Sequence, residues 1–143
     1  LRTCLERNGV EPSPVSLEIT ESVAMGDAER ALATMLDLKE VGVRIAIDDF
    51  GTGFSSLGYL KRFPADTVKI DREFIADVAE PSEDRAIVEA VLSMAHALDL
   101  DVVAEGVETE AQRAALAGLG CRRAQGFLFA RPAPLEDALA ATG

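Results

Sequence analysis

Asp48 and Asp49 stand side by side at the end of the β-branched run Val43–Ile47, and the glycine-punctuated stretch Gly51-Thr52-Gly53 follows them. Adjacent carboxylates repel, so a strand end carries both only where a cation or a cluster of donors holds them. Oxygen ligands at that density suit a hard divalent ion, Mg²⁺ or Mn²⁺. Gly51 and Gly53 let the chain turn sharply beyond the acids. The same stretch also reads as an acidic turn with a helix cap at Ser55, and the rest of the chain decides between the two. Glu18 and Glu105 end short runs of the same kind. With one carboxylate shared, Glu18, Asp48, Asp49 and Glu105 can hold two metal ions about 3.5–4 Å apart, which suits in-line attack of an activated water at phosphorus.

Other polar residues extend this set. Lys69, in Val68-Lys69-Ile70-Asp71, is the one cation of the group. It either orients the attacking water and stabilises phosphoryl charge or neutralises the carboxylates through salt bridges. Glu21, three residues past Glu18, either bonds the backbone of the Gly51–Ser56 loop or is an acid in the first turn of a helix. Glu108 either supports the site from behind its ligands or precedes a capped helix. Gln125 and Phe127 are placed to hydrogen-bond and stack on a base, although Phe127 serves equally as core. Arg131 either reaches a phosphate or lies free at the surface. His96, mid-helix and without ligand partners, reads as structural or solvated.

A repeated unit must position these groups: a short β-branched run, a polar residue at its end, a turn, and a helical pattern. Strands are expected at Val15–Ile19, Val43–Ile47, Thr67–Ile70, Val102–Ala104 and Ala124–Leu128. Helices are expected over residues 1–8, from the Asp27 cap to about Val41, at about Ser56–Arg62, after Ser82, after Thr109 and after Pro134. Inward residues of the second helix are Ala28, Leu32, Met35, Leu36 and Leu38; those of the fourth are Ile87, Val88, Val91, Leu92, Ala95 and Leu98. Thr109 and Gln112 form a capping box. Strands alternating with helices make a parallel sheet. Eight such units need on the order of 220 residues, the range of a (β/α)₈ barrel, and five fill this chain. An open doubly wound sheet is the alternative, but no glycine-rich phosphate turn follows the first strand. Glu18, Asp48, Lys69, Glu105 and Gln125 all end strands and share the face opposite the large apolar residues. In a barrel that face points to the axis, and the strand ends form the rim where barrel active sites lie.

Composition narrows the class. A net charge of −11 on 143 residues, 48% of them hydrophobic, gives a real core and no basic excess to neutralise DNA or RNA. Cys4 and Cys121 form no metal-ligand spacing, consistent with a reduced cytoplasmic protein. No run is long enough to cross a membrane. The chain begins with Leu1 and reads as a piece of a longer protein.

Five stretches together carry a resemblance: Leu17-Glu18-Ile19-Thr20-Glu21-Ser22, Asp48-Asp49-Phe50-Gly51-Thr52-Gly53, Lys69-Ile70-Asp71-Arg72, Ala104-Glu105-Gly106-Val107-Glu108-Thr109 and Gln125-Gly126-Phe127. In order and spacing they resemble the successive motifs of the EAL domain family, the cyclic di-guanylate (c-di-GMP) phosphodiesterases. The resemblance implies a TIM-like barrel that hydrolyses c-di-GMP to linear pGpG with Mg²⁺ or Mn²⁺. It implies that Glu18, Asp48, Asp49 and Glu105 bind the metals, Lys69 acts on the water, Glu21 anchors the loop, and Gln125 contacts substrate. The Glu-Ala-Leu motif itself does not occur here and is expected upstream of Leu1. Residues 1–143 would then be the last five βα units of one domain, inactive alone. Family members imply a homodimer and fusion to sensor or diguanylate cyclase domains, with any membrane tether outside this chain. A noncatalytic receptor of the same fold is the competing reading, to be separated by the upstream motifs.

Overall fold

Five strands, β1 (Ser16–Thr20), β2 (Arg44–Phe50), β3 (Thr67–Ile70), β4 (Asp101–Ala104) and β5 (Arg123–Ala124), form one sheet in sequence order, every neighbouring pair parallel. The computed structural model describes residues 1–51, 57–134 and 136. Helices α1 (Arg2–Asn8), α2 (Glu21–Gly26), α3 (Ala28–Val41), α4 (Leu57–Leu60), α5 (Arg72–Ile75), α6 (Glu83–Ala97) and α7 (Glu110–Gly118) complete those residues. Sequential order without reversal belongs to a barrel wall, and the doubly wound alternative is excluded. The chain is thus the five-unit arc of a (β/α)₈ barrel. Among the described residues no helix is long and apolar enough to cross a membrane.

Side-chain parity builds the core. Ile45, Ile47, Val68, Ile70 and Ala104 leave the helix-facing side of the sheet and are buried against Met35 of α3, Val88 and Val91 of α6, and Leu116 of α7. Each such aliphatic contributes about 1.5–3 kcal/mol when withdrawn from water. Leu36 and Ile87, expected to face inward, are 51% and 37% exposed. They sit at the edges of their helical stripes, where a 3.6-residue period leaves the choice of face to the neighbour.

Helix ends follow the local chemistry. Asp27 and Ser82 accept from the amides three residues on, Arg30 and Arg85. Gly42 ends α3 at φ 98°, a conformation that suits glycine. Thr109 and Gln112 make the reciprocal capping box of α7. At the lower end of the sheet Asp66 accepts from Lys39 of α3 at 2.7 Å and from the Ile45 amide at 2.7 Å. Arg44 of β2 and Arg123 of β5 both reach Asp101 Oδ2 of β4 at 2.8 Å.

The short helix α2 has Glu21 in its first turn, one of the two readings of that residue, while α5 is too brief to show a period in the sequence. The fifth strand is shorter than the expected Ala124–Leu128. It stops at Ala124, and residues 127–129 form a turn in which the amides of Phe129 and Ala130 both donate to the Gly126 carbonyl. Past Ala124 the chain bonds to the turn after β4: the Val107 amide donates to the Gln125 carbonyl at 3.0 Å and the Leu128 amide to the Val107 carbonyl at 3.0 Å. Gly126 lies against the backbone of Val107, with an added Cβ 2.2 Å from the Val107 oxygen and 2.3 Å from its nitrogen. The helix expected after Pro134 lies outside the described residues, apart from Glu136.

Gly126→Ala therefore has no space to occupy without moving Val107, and Val107 is fully buried. The expected cost is about 3 kcal/mol of stability, read by denaturant unfolding of the complete domain. A change within experimental error would contradict the close approach.

Candidate active site

At the upper end of the sheet Lys69 is 6% exposed and surrounded by acids. Its Nζ lies 2.9 Å from Glu18 Oε2, 2.9 Å from Asp48 Oδ1 and 2.7 Å from Glu105 Oε1. The four side chains come from β1, β2, β3 and the residue after β4, so parallel pairing converts similar strand positions into one cluster. Gln125, just past β5, completes the row: its Nε2 donates to Glu105 Oε1 at 2.5 Å. Burial works against the Lys69 charge, but hydrogen bonds and attraction from Glu105, Glu18 and Asp48 outweigh it and hold the ammonium well above its usual pKa.

Asp49 joins the cluster by a different route. Successive residues of a regular strand point to opposite faces. Between Ile47, which pairs with Val68, and Phe50, which pairs with Ile70, β2 carries one residue more than β3. This is a β-bulge, and Asp49 within it has φ 54°. The bulge turns both aspartates to one side. One oxygen each of Asp48, Asp49 and Glu105 then lie within 4.8 Å of one another. Asp48 Oδ1 is buried and faces the Lys69 ammonium at 2.9 Å. Three carboxylates this close fit a divalent cation. Glu18 lies on the far side of Lys69 and is more exposed.

Partial burial and then the charges of Asp48 and Asp71 push the Asp49 carboxyl above the usual range, with Lys69 opposing them. Burial likewise raises Glu105 despite the pull of Lys69, and Asp48 and Glu18 add to the rise.

Glu21, at the start of α2, is 1% exposed, and its Oε2 accepts from the Gly51 amide at 2.8 Å. It fixes the first residue of the loop after the bulge; residues 52–56 lie outside the described residues. Glu108 is exposed and stands apart from the cluster, its amide donating to Gln112 Oε1 at 2.9 Å. Phe127 lies on the turn after β5, half exposed, with the Arg131 guanidinium 4.6 Å from its ring centre. Asp71, against Asp49, is a site neighbour not singled out from the sequence. Its position two residues past Lys69 was the available signal, since equal parity means the same face.

A family model described as the EAL domain matches residues 1–132. The chain belongs to the EAL domain family. It is 54% identical over 140 residues to the bifunctional diguanylate cyclase/cyclic di-GMP phosphodiesterase MucR of Pseudomonas aeruginosa, a match covering 98% of this chain and 20% of that protein. The solved PaMucR phosphodiesterase, a c-di-GMP complex, superimposes with a TM-score of 0.92 at 53% identity, covering 96% of this chain and 56% of that one. The manganese/cy-diGMP complex of Klebsiella pneumoniae BlrP1 at pH 9.0 superimposes with a TM-score of 0.85 at 37% identity, covering 92% and 33%. The chain spans about a fifth of the length of the curated relatives it matches. In this EAL chain Glu18, Asp48, Lys69, Glu105 and Gln125 lie at or just past the carboxyl ends of the five strands.

A carboxyl whose pKa is higher folded than unfolded opposes folding once ionised. The penalty is absent below its unfolded pKa and complete above its folded one. Asp49→Asn removes that penalty. In chelator the variant should melt above the native domain at about pH 7, the gap closing as the pH falls to about 4. Thermal melts across that range check it, and a gap that widens towards acid would contradict the assigned direction.

Proposed function

We propose that the complete domain containing residues 1–143 hydrolyses c-di-GMP to linear pGpG, with residues 1–143 forming the C-terminal part of a single EAL barrel. The observation that carries this reading is the cluster of Asp48, Asp49 and Glu105, with one oxygen each within 4.8 Å of one another, on the rim of a chain whose relatives include c-di-GMP phosphodiesterases. Glu18, Asp48, Asp49 and Glu105 would hold Mg²⁺ or Mn²⁺ in a two-metal site. When bound, such ions supply an activated water and neutralise charge at phosphorus.

The chain's own residues do the rest. Lys69, held charged by its three carboxylates, places a fixed positive charge beside the scissile phosphate and orients the attacking water by donating hydrogen bonds. Gln125 presents an amide at the same rim, and Phe127 with Arg131 offers a stacking face and a cation for guanine and phosphate. Glu21 holds the loop at Gly51, and Glu108 steadies the turn behind Glu105. Water adds across one phosphorus–oxygen bond: phosphorus gains the hydroxyl, the ribose oxygen leaves with the proton, and one ring opening gives pGpG. A homodimer in the cytoplasm, joined to sensor or diguanylate cyclase domains and without a nucleic-acid partner, completes the proposal.

The test uses the complete parent protein with Mn²⁺ and c-di-GMP, with pGpG measured by chromatography. Asp48→Asn should lose turnover by at least about a hundredfold, keep its circular dichroism spectrum, and bind Mn²⁺ more weakly. Near-native turnover in that variant would overturn the metal assignment. Tight c-di-GMP binding without turnover in the native protein would favour the receptor reading.

The isolated arc is a second test. β1 and β5 each have one sheet neighbour among the described residues, so both edges offer unpaired backbone groups. Purified residues 1–143 should self-associate in sedimentation and release no pGpG. A monomeric, active fragment would contradict the barrel-arc reading.

A further inference from the structure

Gln112 is one of four buried polar or charged residues among those described. Its side chain faces two ways. Oε1 accepts from the amides of Glu108 and Thr109 at 2.9 and 3.0 Å, which closes the capping box of α7. Nε2 donates to the Ala76 carbonyl at 3.2 Å, at the C-terminal end of α5 and 36 residues away in sequence. Capping needs only the acceptor, and glutamate supplies that as well as glutamine does. The amide's donor has a different purpose: it ties the loop after Glu105 to α5.

α5 touches both ligand-bearing turns. Arg72, its first residue, lies over Gly106, where an added Cβ would fall 2.4 Å from the Arg72 Cβ. Phe74 covers Gly51, where an added Cβ would fall 2.8 Å from the ring. Gly51 follows the bulge that carries Asp49, and Gly106 follows Glu105. Phe74 and Ile75 are buried, so α5 has a fixed seat in the core. The helix is therefore a brace between the β2 bulge and the β4 turn, and Gln112 is its polar link to the second.

We propose that Gln112 is a positioning residue that sets the Glu105 carboxylate at its distance from Asp48 and Asp49 by hydrogen-bonding the Glu108–Thr109 backbone to α5. The proposal rests on the reading of those three carboxylates as a divalent-metal site. A link of this kind acts on affinity for the ion, since groups that orient ligands are typically worth ten- to a hundredfold in metal binding.

Gln112→Glu isolates the link. The two amides keep their acceptor, while a carboxylate oxygen replaces the donor facing the Ala76 carbonyl. Thr109→Ala is the control: it removes the side-chain cap of α7 and leaves the Gln112 bridge in place. Both are made in the complete parent protein, and Mn²⁺ binding is measured by calorimetry without substrate, alongside Tm and amide exchange of residues 105–109. In Gln112→Glu, Mn²⁺ binding should weaken about tenfold, and the Ala76-facing loop should exchange faster. Thr109→Ala should lower Tm and leave Mn²⁺ binding unchanged. Unchanged Mn²⁺ affinity in Gln112→Glu would overturn the positioning role. Equal weakening in both variants would reduce Gln112 to a helix cap. If the native protein itself binds no Mn²⁺, the metal-site reading fails first, a result separate from either.

Discussion

One buried ammonium organises this end of the molecule. Lys69 Nζ touches carboxylates carried by β1, β2 and the turn after β4, and β3, which presents it, lies among them. Without that charge, Glu18, Asp48 and Glu105 would crowd one partly dry rim with nothing to offset their repulsion. With it, burial first and the neighbouring carboxylates second still raise the pKa of Glu105 and Asp49. A divalent ion would offset both costs.

The remaining architecture keeps the cluster's members in place. The apolar face of each strand is seated on α3, α6 and α7, which fixes the strands and therefore the opposite face. The lower end is locked separately by Asp66 with Lys39 and by Asp101 with Arg44 and Arg123. Stability and chemistry are divided between the two ends of the sheet, as is usual in barrel enzymes. Close approaches at Gly51, Gly106 and Gly126 bring the three connecting turns against α5 and Val107.

The bulge in β2 shows how a local irregularity creates the site. In a regular ladder Asp48 would face the axis and Asp49 the helices, where a carboxylate has no partner. The extra residue and the left-handed conformation at Asp49 bring both to one side. Strain of this kind persists where surrounding contacts over-determine the backbone. Here Glu21 holds the Gly51 amide from one side and Phe74 covers Gly51 from the other.

The sequence by itself determined the parallel arc. Period-two strands alternate with capped helices, and the caps at Asp27, Ser82 and Thr109 form as local chemistry requires, because capping depends only on residues three apart. It also determined that Glu18, Asp48, Lys69, Glu105 and Gln125 share one face, since strand parity is a property of each short segment. Tertiary structure decided the rest. It ended β5 at Ala124, where the chain bonds onward to the turn at Val107, and placed Phe127 on a half-exposed turn. It turned Asp49 towards Asp48 through a bulge that exists only relative to β3. It made Gln112 more than a cap, because the Ala76 carbonyl that it reaches is distant in sequence. Contacts between segments far apart leave no period or spacing in the chain, so they become legible only once the fold brings the segments together.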